Sequence, residues 1–112
     1  MSRRCFGVEP CADGSVVIAA RDEEGVSLTR LEAEAAQSAE VVKFVGSRAR
    51  SPRVCVASHN GRGLNLALAL GALPESEVIL MRPDVLARGR GGRTAREEPL
   101  AVALASYARR AA

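Results

Sequence analysis

The chain has 112 residues, 47% of them apolar and only 3% aromatic, with 16 Lys and Arg against 13 Asp and Glu for a formal net charge of +3. That length suits one domain over residues 1–112 with a core of Val, Leu, Ala and Ile, and the apolar content argues against disorder. No apolar run approaches the roughly 18 residues needed to cross a bilayer, no secretory apolar region follows Met-Ser-Arg-Arg, and three cysteines without metal spacing fit a reducing cytoplasm.

In chain order, Arg4 to Pro10 reads as a first strand, with Phe6 and Val8 alternating against Gly7 and Glu9. Asp13-Gly14 is a turn signal. Ser15 to Arg21 is a second strand whose continuous run Val16 to Ala20 predicts burial on both faces. After the turn Asp22 to Gly25, Val26 to Arg30 is a third strand, so the chain opens with an antiparallel meander. Leu31 to Val45 is expected as a helix with Leu31, Ala35, Val42 and Val45 on one face, capped by Gly46.

A basic loop, Ser47 to Pro52, leads to a fourth strand at Arg53 to Ala57. The second helix, from Gly63 or Leu64 to Leu70, is apolar on nearly every side and is expected between layers. Glu77 to Arg82 is a fifth strand, followed by a flexible Arg/Gly segment over 88–96. A last helix runs from Arg96 to Arg110, its regular part starting near Glu98 because Pro99 fits only a first turn, with Leu100, Ala103, Leu104 and Tyr107 on its core face. Right-handed crossovers then place the fourth strand parallel beside the first. The expected fold is α/β: a five-stranded mixed sheet in order 3-2-1-4-5 with helices on both faces.

Four places carry a family resemblance: FGVEP at Phe6 to Pro10, VCVASHNGRGLNLALAL from Val54, VILMRP at Val78 to Pro83, and RTAREEPLAVALASYARR at Arg93 to Arg110. In order and spacing they resemble the N-terminal ribonuclease-H-like (RuvC-like) domain of DEDD insertion-sequence transposases, the group that includes the pilin-gene invertase. The resemblance covers almost the whole chain and about the first third of a full transposase. It implies a ribonuclease-H-like fold and, in the family, four carboxylates holding two divalent metals at a phosphodiester, a task for converging hard oxygen ligands. Carried over, the first acid falls on Glu9, the second on Ala57, the third on Ala95 and the fourth near Glu98, with Glu97 beside it. The acidic tetrad is therefore degenerate, Glu9 and Glu98 are its residual metal-ligand candidates, and the chain leans away from being an enzyme. Small stand-alone nucleases of ribosomal RNA processing are similar in length and final helix, and they too need an early Asp and a middle Glu.

The residues also have plainer readings. Glu9 is equally a solvated carboxylate at a turn, and Glu97 and Glu98 favour a helix N-terminus. His59 reads as a surface turn residue, and Ser58 or Asn60 as the cap of the second helix. Arg82, Arg88, Arg90, Arg93 and Arg96 are the candidate nucleic-acid contacts, because guanidinium forks suit phosphate oxygens; a solvated loop is the alternative.

The function expected is a non-catalytic ribonuclease-H-like module, derived from a transposase or resolvase domain, that binds DNA, RNA or a nucleoprotein partner. One alternative is a metal-dependent nuclease with a rearranged site, the only case in which Mg2+ or Mn2+ is expected. Another is a dimeric interaction subunit, self-packed through its Ala-rich last helix. No membrane partner is expected.

Overall fold

The computed structural model describes residues 4–33, 37–58, 61–82 and 100–110. Strand β1 spans Cys5–Pro10, β2 Val16–Asp22, β3 Gly25–Leu31, β4 Arg53–Ala57 and β5 Glu77–Met81. Helix α1 spans Ser38–Gly46, α2 Gly61–Leu70 and α3 Leu100–Arg110. The five strands form one sheet in order β3-β2-β1-β4-β5. β1 to β3 pair antiparallel, while β4 lies parallel to β1 and β5 parallel to β4. The expected α/β class and strand order are therefore present.

Period-two alternation divides each strand between two faces. Phe6 and Val8 of β1, Val16 and Ile18 of β2, and Val54 and Val56 of β4 turn to one face, where they meet Val41 and Val45 of α1 and Leu66 and Leu70 of α2. The other face carries Cys5, Ala19, Cys55 and Ala57, covered by Ala101, Ala103, Leu104, Ala105 and Ala108 of α3. The unbroken apolar run of β2 has this origin, since both of its faces are buried under helices.

Helix α3 lies over β1, β2 and β4. It can come this close because Gly7 has no side chain: a Cβ there would overlap the Ala101 carbonyl oxygen and stand 2.5 Å from the Ala105 nitrogen. The helix is pinned near its other end, where Arg21 Nη1 donates to Ser106 Oγ at 2.5 Å and Arg109 Nη1 donates to the Asp22 carbonyl at 3.1 Å. The α3 axis thus runs antiparallel to β1, with Leu100 and Ala101 towards the carboxyl end of that strand.

Several expected boundaries and faces differ. Leu31 ends β3, paired with Val16, rather than starting a helix; sheet pairing outweighs the local helical period. Helix α1 starts at Ser38 and buries Val41 and Val45, while Val42 is only partly covered. Gly46 is the last residue of that helix, and the cap is Ser47 in a right-handed conformation. Helix α2 is not enclosed: Gly63, Leu66 and Leu70 are buried, but Leu64 and Leu68 are 51% and 69% exposed, with no further layer over them among the described residues. On α3 the core face is Ala101, Ala103, Leu104, Ala105, Ser106 and Ala108, with Leu100 and Tyr107 half-buried at its margin. This face packs on the chain's own sheet.

Candidate functional site

The carboxyl ends of β1 and β4 come together because the two strands are parallel neighbours with Gly7 beside Cys55 and Val8 beside Val56. One step further along, Glu9 and Ala57 end up side by side on the face that α3 covers. Ala57 also pairs with Met81 of β5, so Arg82 follows at the same edge of the sheet. Arg82 is exposed. The resemblance pairs Glu9 with Ala57, and the structure sets both, with Arg82, at the carboxyl end of neighbouring strands.

Their surroundings differ sharply. Glu9 is half-buried, opposite Val17 of β2, and its backbone carbonyl lies 3.7 Å from the Cys11 thiol. Ala57 is 0% exposed. Its neighbours are the apolar cluster of Cys55, Ala103 and Leu104, flanked by Met81 and Leu100. From the other side the first turn of α2 presses on its backbone: a Cβ on Gly63 would overlap the Ala57 carbonyl oxygen and stand 3.1 Å from the Ser58 Cα. The Ser58 N–H donates to the Met81 carbonyl at 2.9 Å, closing the end of β4 onto β5. The position that corresponds to the resembling family's second acid is thus filled by packing among apolar side chains.

The divalent metals that the resemblance implies do not fit the described residues. Glu9 supplies one carboxylate, Ala57 supplies no ligand atom, and among the described residues no group of three or more His, Cys, Asp or Glu gathers. Cys55, the one sulfur deep in this cluster beside Cys5, is a poor ligand, because burial pushes its thiol pKa up to about 12 and keeps it protonated. No protein-family model matches this chain, and no curated protein matches it.

The remaining expected site residues, Arg88, Arg90, Arg93, Ala95, Arg96, Glu97 and Glu98, lie outside the described residues, as do His59 and Asn60.

Two polar features were not singled out in the sequence. One is the side-chain network inside the β1–β2 turn, where the Asp13 carboxylate accepts from the Ser15 hydroxyl at 2.5 Å and from the Ser15 N–H at 3.0 Å, with Arg30 at 2.6 Å. The Ser15 hydrogen bonds, and then the Arg30 charge, hold the Asp13 pKa below its ordinary value. The other is a cleft of about 310 Å³ on the α1/α2 side, walled by Gly14, Gln37, Ser38, Arg62 and Asn65. Only tertiary structure assembles this cleft from three separate elements, so no local pattern announces it.

Proposed function

We propose that the chain is a non-catalytic ribonuclease-H-like module, derived from a transposase or resolvase domain, that binds nucleic acid through its arginine segment. The observation that carries this reading is Ala57. It occupies the carboxyl end of β4, next to Glu9, fully buried beneath α3 where the resembling family sets a glutamate. A strand order matching the expected one supports the resemblance. Exposed Arg82 at the same sheet edge supports a phosphate-contacting role for the segment that follows it.

The chemistry expected is electrostatic positioning along a phosphate backbone. No aromatic residues interleave with Arg82, Arg88, Arg90, Arg93 and Arg96, so base stacking contributes nothing. Each guanidinium that neutralises a phosphate releases condensed counterions, which makes affinity fall with salt. Titration of labelled duplex DNA and of single-stranded RNA at 25 to 200 mM salt tests the reading. Replacing Arg88, Arg90 and Arg93 together with alanine is expected to weaken binding and to lower the log–log salt slope by about 2 to 3. No binding to either nucleic acid at the lowest salt would overturn it.

A further inference from the structure

The described part of the sheet has two outer strands, β3 and β5. Helix α3 packs chiefly on β1, β2 and β4 and leaves Val26 and Leu28 of β3 exposed. On the α3 face of β3 the register sets Val26 opposite Arg21, Leu28 opposite Ala19, and Arg30 opposite Val17. Val26 and Leu28 are 42% and 49% exposed, two apolar side chains in line on an open sheet edge. An exposed edge of this kind offers unpaired backbone groups along its length, and natural sheets usually blunt it or pair it.

We propose that β3 pairs antiparallel with β3 of a second copy of this chain, about a two-fold axis through Ser27, to make one continuous ten-stranded sheet. The row Glu24, Val26, Leu28, Arg30 is self-complementary when read against itself in reverse. With Ser27 opposite Ser27 of the partner subunit, Val26 meets the partner's Leu28 and Leu28 meets the partner's Val26. Glu24, at the turn, then falls opposite the partner's Arg30, and Arg30 opposite the partner's Glu24. The apolar pairs close over one another, and each acid meets a base. Glu24 and Arg30 are both exposed, and Arg30 keeps further donors beside those engaged with Asp13 and Glu32. On the opposite face the facing residues are small or hydroxylated: Gly25 against Thr29, and Ser27 against Ser27.

The other edge does not share this property. Along β5 the two faces read Glu77, Ile79, Met81 and Val78, Leu80, Arg82. Glu77 and Arg82 lie on opposite faces, so no two-fold pairing of β5 sets one against the other. Glu77 is in any case held by Arg53 at 2.6 Å. A one-residue slip along β3 is equally unfavourable, because it would turn the apolar pair to the face of the hydroxyls.

Ser27 provides a direct test, because residues facing across an antiparallel pair have Cα atoms about 4.5–5.5 Å apart, within disulfide range. In a Cys11→Ser background, Ser27→Cys is expected to form a covalent dimer on mild oxidation, whereas Thr29→Cys, which faces Gly25, is not. Sedimentation velocity over a concentration series supplies the second measurement. The unaltered chain is expected to sediment as a dimer, and Leu28→Lys to weaken association by about tenfold or more. Glu24→Arg and Arg30→Glu should each weaken it, and the double exchange should restore it, with circular dichroism confirming that each variant is folded. A monomer at all concentrations would overturn the proposal. So would a dimer indifferent to Leu28→Lys, or equal cross-linking at positions 27 and 29.

Discussion

Replacing Ala57 by glutamate restores the acid that the resembling family has at this position, and the surroundings of Ala57 determine what that costs. The residue is 0% exposed, among Ala103, Leu104, Met81 and Leu100, with the first turn of α2 on its backbone. Four extra heavy atoms beyond a methyl must be forced into this packing, at about 1–3 kcal/mol. A carboxyl among these apolar side chains, with the Glu9 carboxylate on the neighbouring strand, is also held neutral. At pH 7, protonating a group of ordinary pKa about 4.3 costs roughly 3.7 kcal/mol. The sum is comparable with the about 5–15 kcal/mol by which domains of this size are stable.

The sign of the pH dependence separates the two contributions. A carboxyl whose folded pKa is raised destabilises most above that pKa and stops doing so below about pH 4.3, where the unfolded chain is protonated too. Urea unfolding midpoints of Ala57→Glu should therefore lie far below those of the unaltered chain at pH 7 and recover part of the gap at pH 4.5. Ala57→Gln, similar in volume and without a charge, should show a loss that does not change with pH. If Ala57→Glu matches the unaltered chain at pH 7, or tracks Ala57→Gln at both pH values, the position is open to solvent and the reasoning fails.

Gly7→Ala should destabilise by about 1–3 kcal/mol or more, because the added methyl meets helix backbone that cannot rotate away; amide exchange in α3 should rise more than in α1. Thiol titration at pH 8 should find Cys11 reactive in the folded protein, with Cys5 and Cys55 appearing only on unfolding. Both of these are buried, and Cys55 stays a neutral thiol until about pH 12.

The strand order was legible because β2 reads as a doubly buried strand and the meander signals Asp13-Gly14 and Asp22 to Gly25 stand where the chain turns. Parallel β4 followed from crossover handedness alone. What escaped depends on coverage rather than on local pattern. Leu64 and Leu68 carry the same hydropathy as Leu66 and Leu70, but they lie on the side of α2 turned away from the sheet. Val26 and Leu28 alternate like core residues, yet α3 packs chiefly on the inner strands and leaves them exposed. Leu31 fits a helical stripe as well as a strand end, and its pairing with Val16 decides between them. At the candidate site, the juxtaposition of Glu9 and Ala57 was foreseeable from topology. That Ala57 is sealed by Leu100 and Leu104, more than forty positions away in the chain, was not.

The docking of α3 over Gly7 also orders events during synthesis. β1 leaves the ribosome well before α3, so the row Cys5, Gly7, Cys55 and Ala57 lacks its α3 cover until Leu100 to Arg110 has emerged. At about 5–20 residues per second, that face stays bare for several seconds after its strands could have paired. A nascent chain arrested before residue 100 would present it to chaperones, and emergence of α3 would withdraw it.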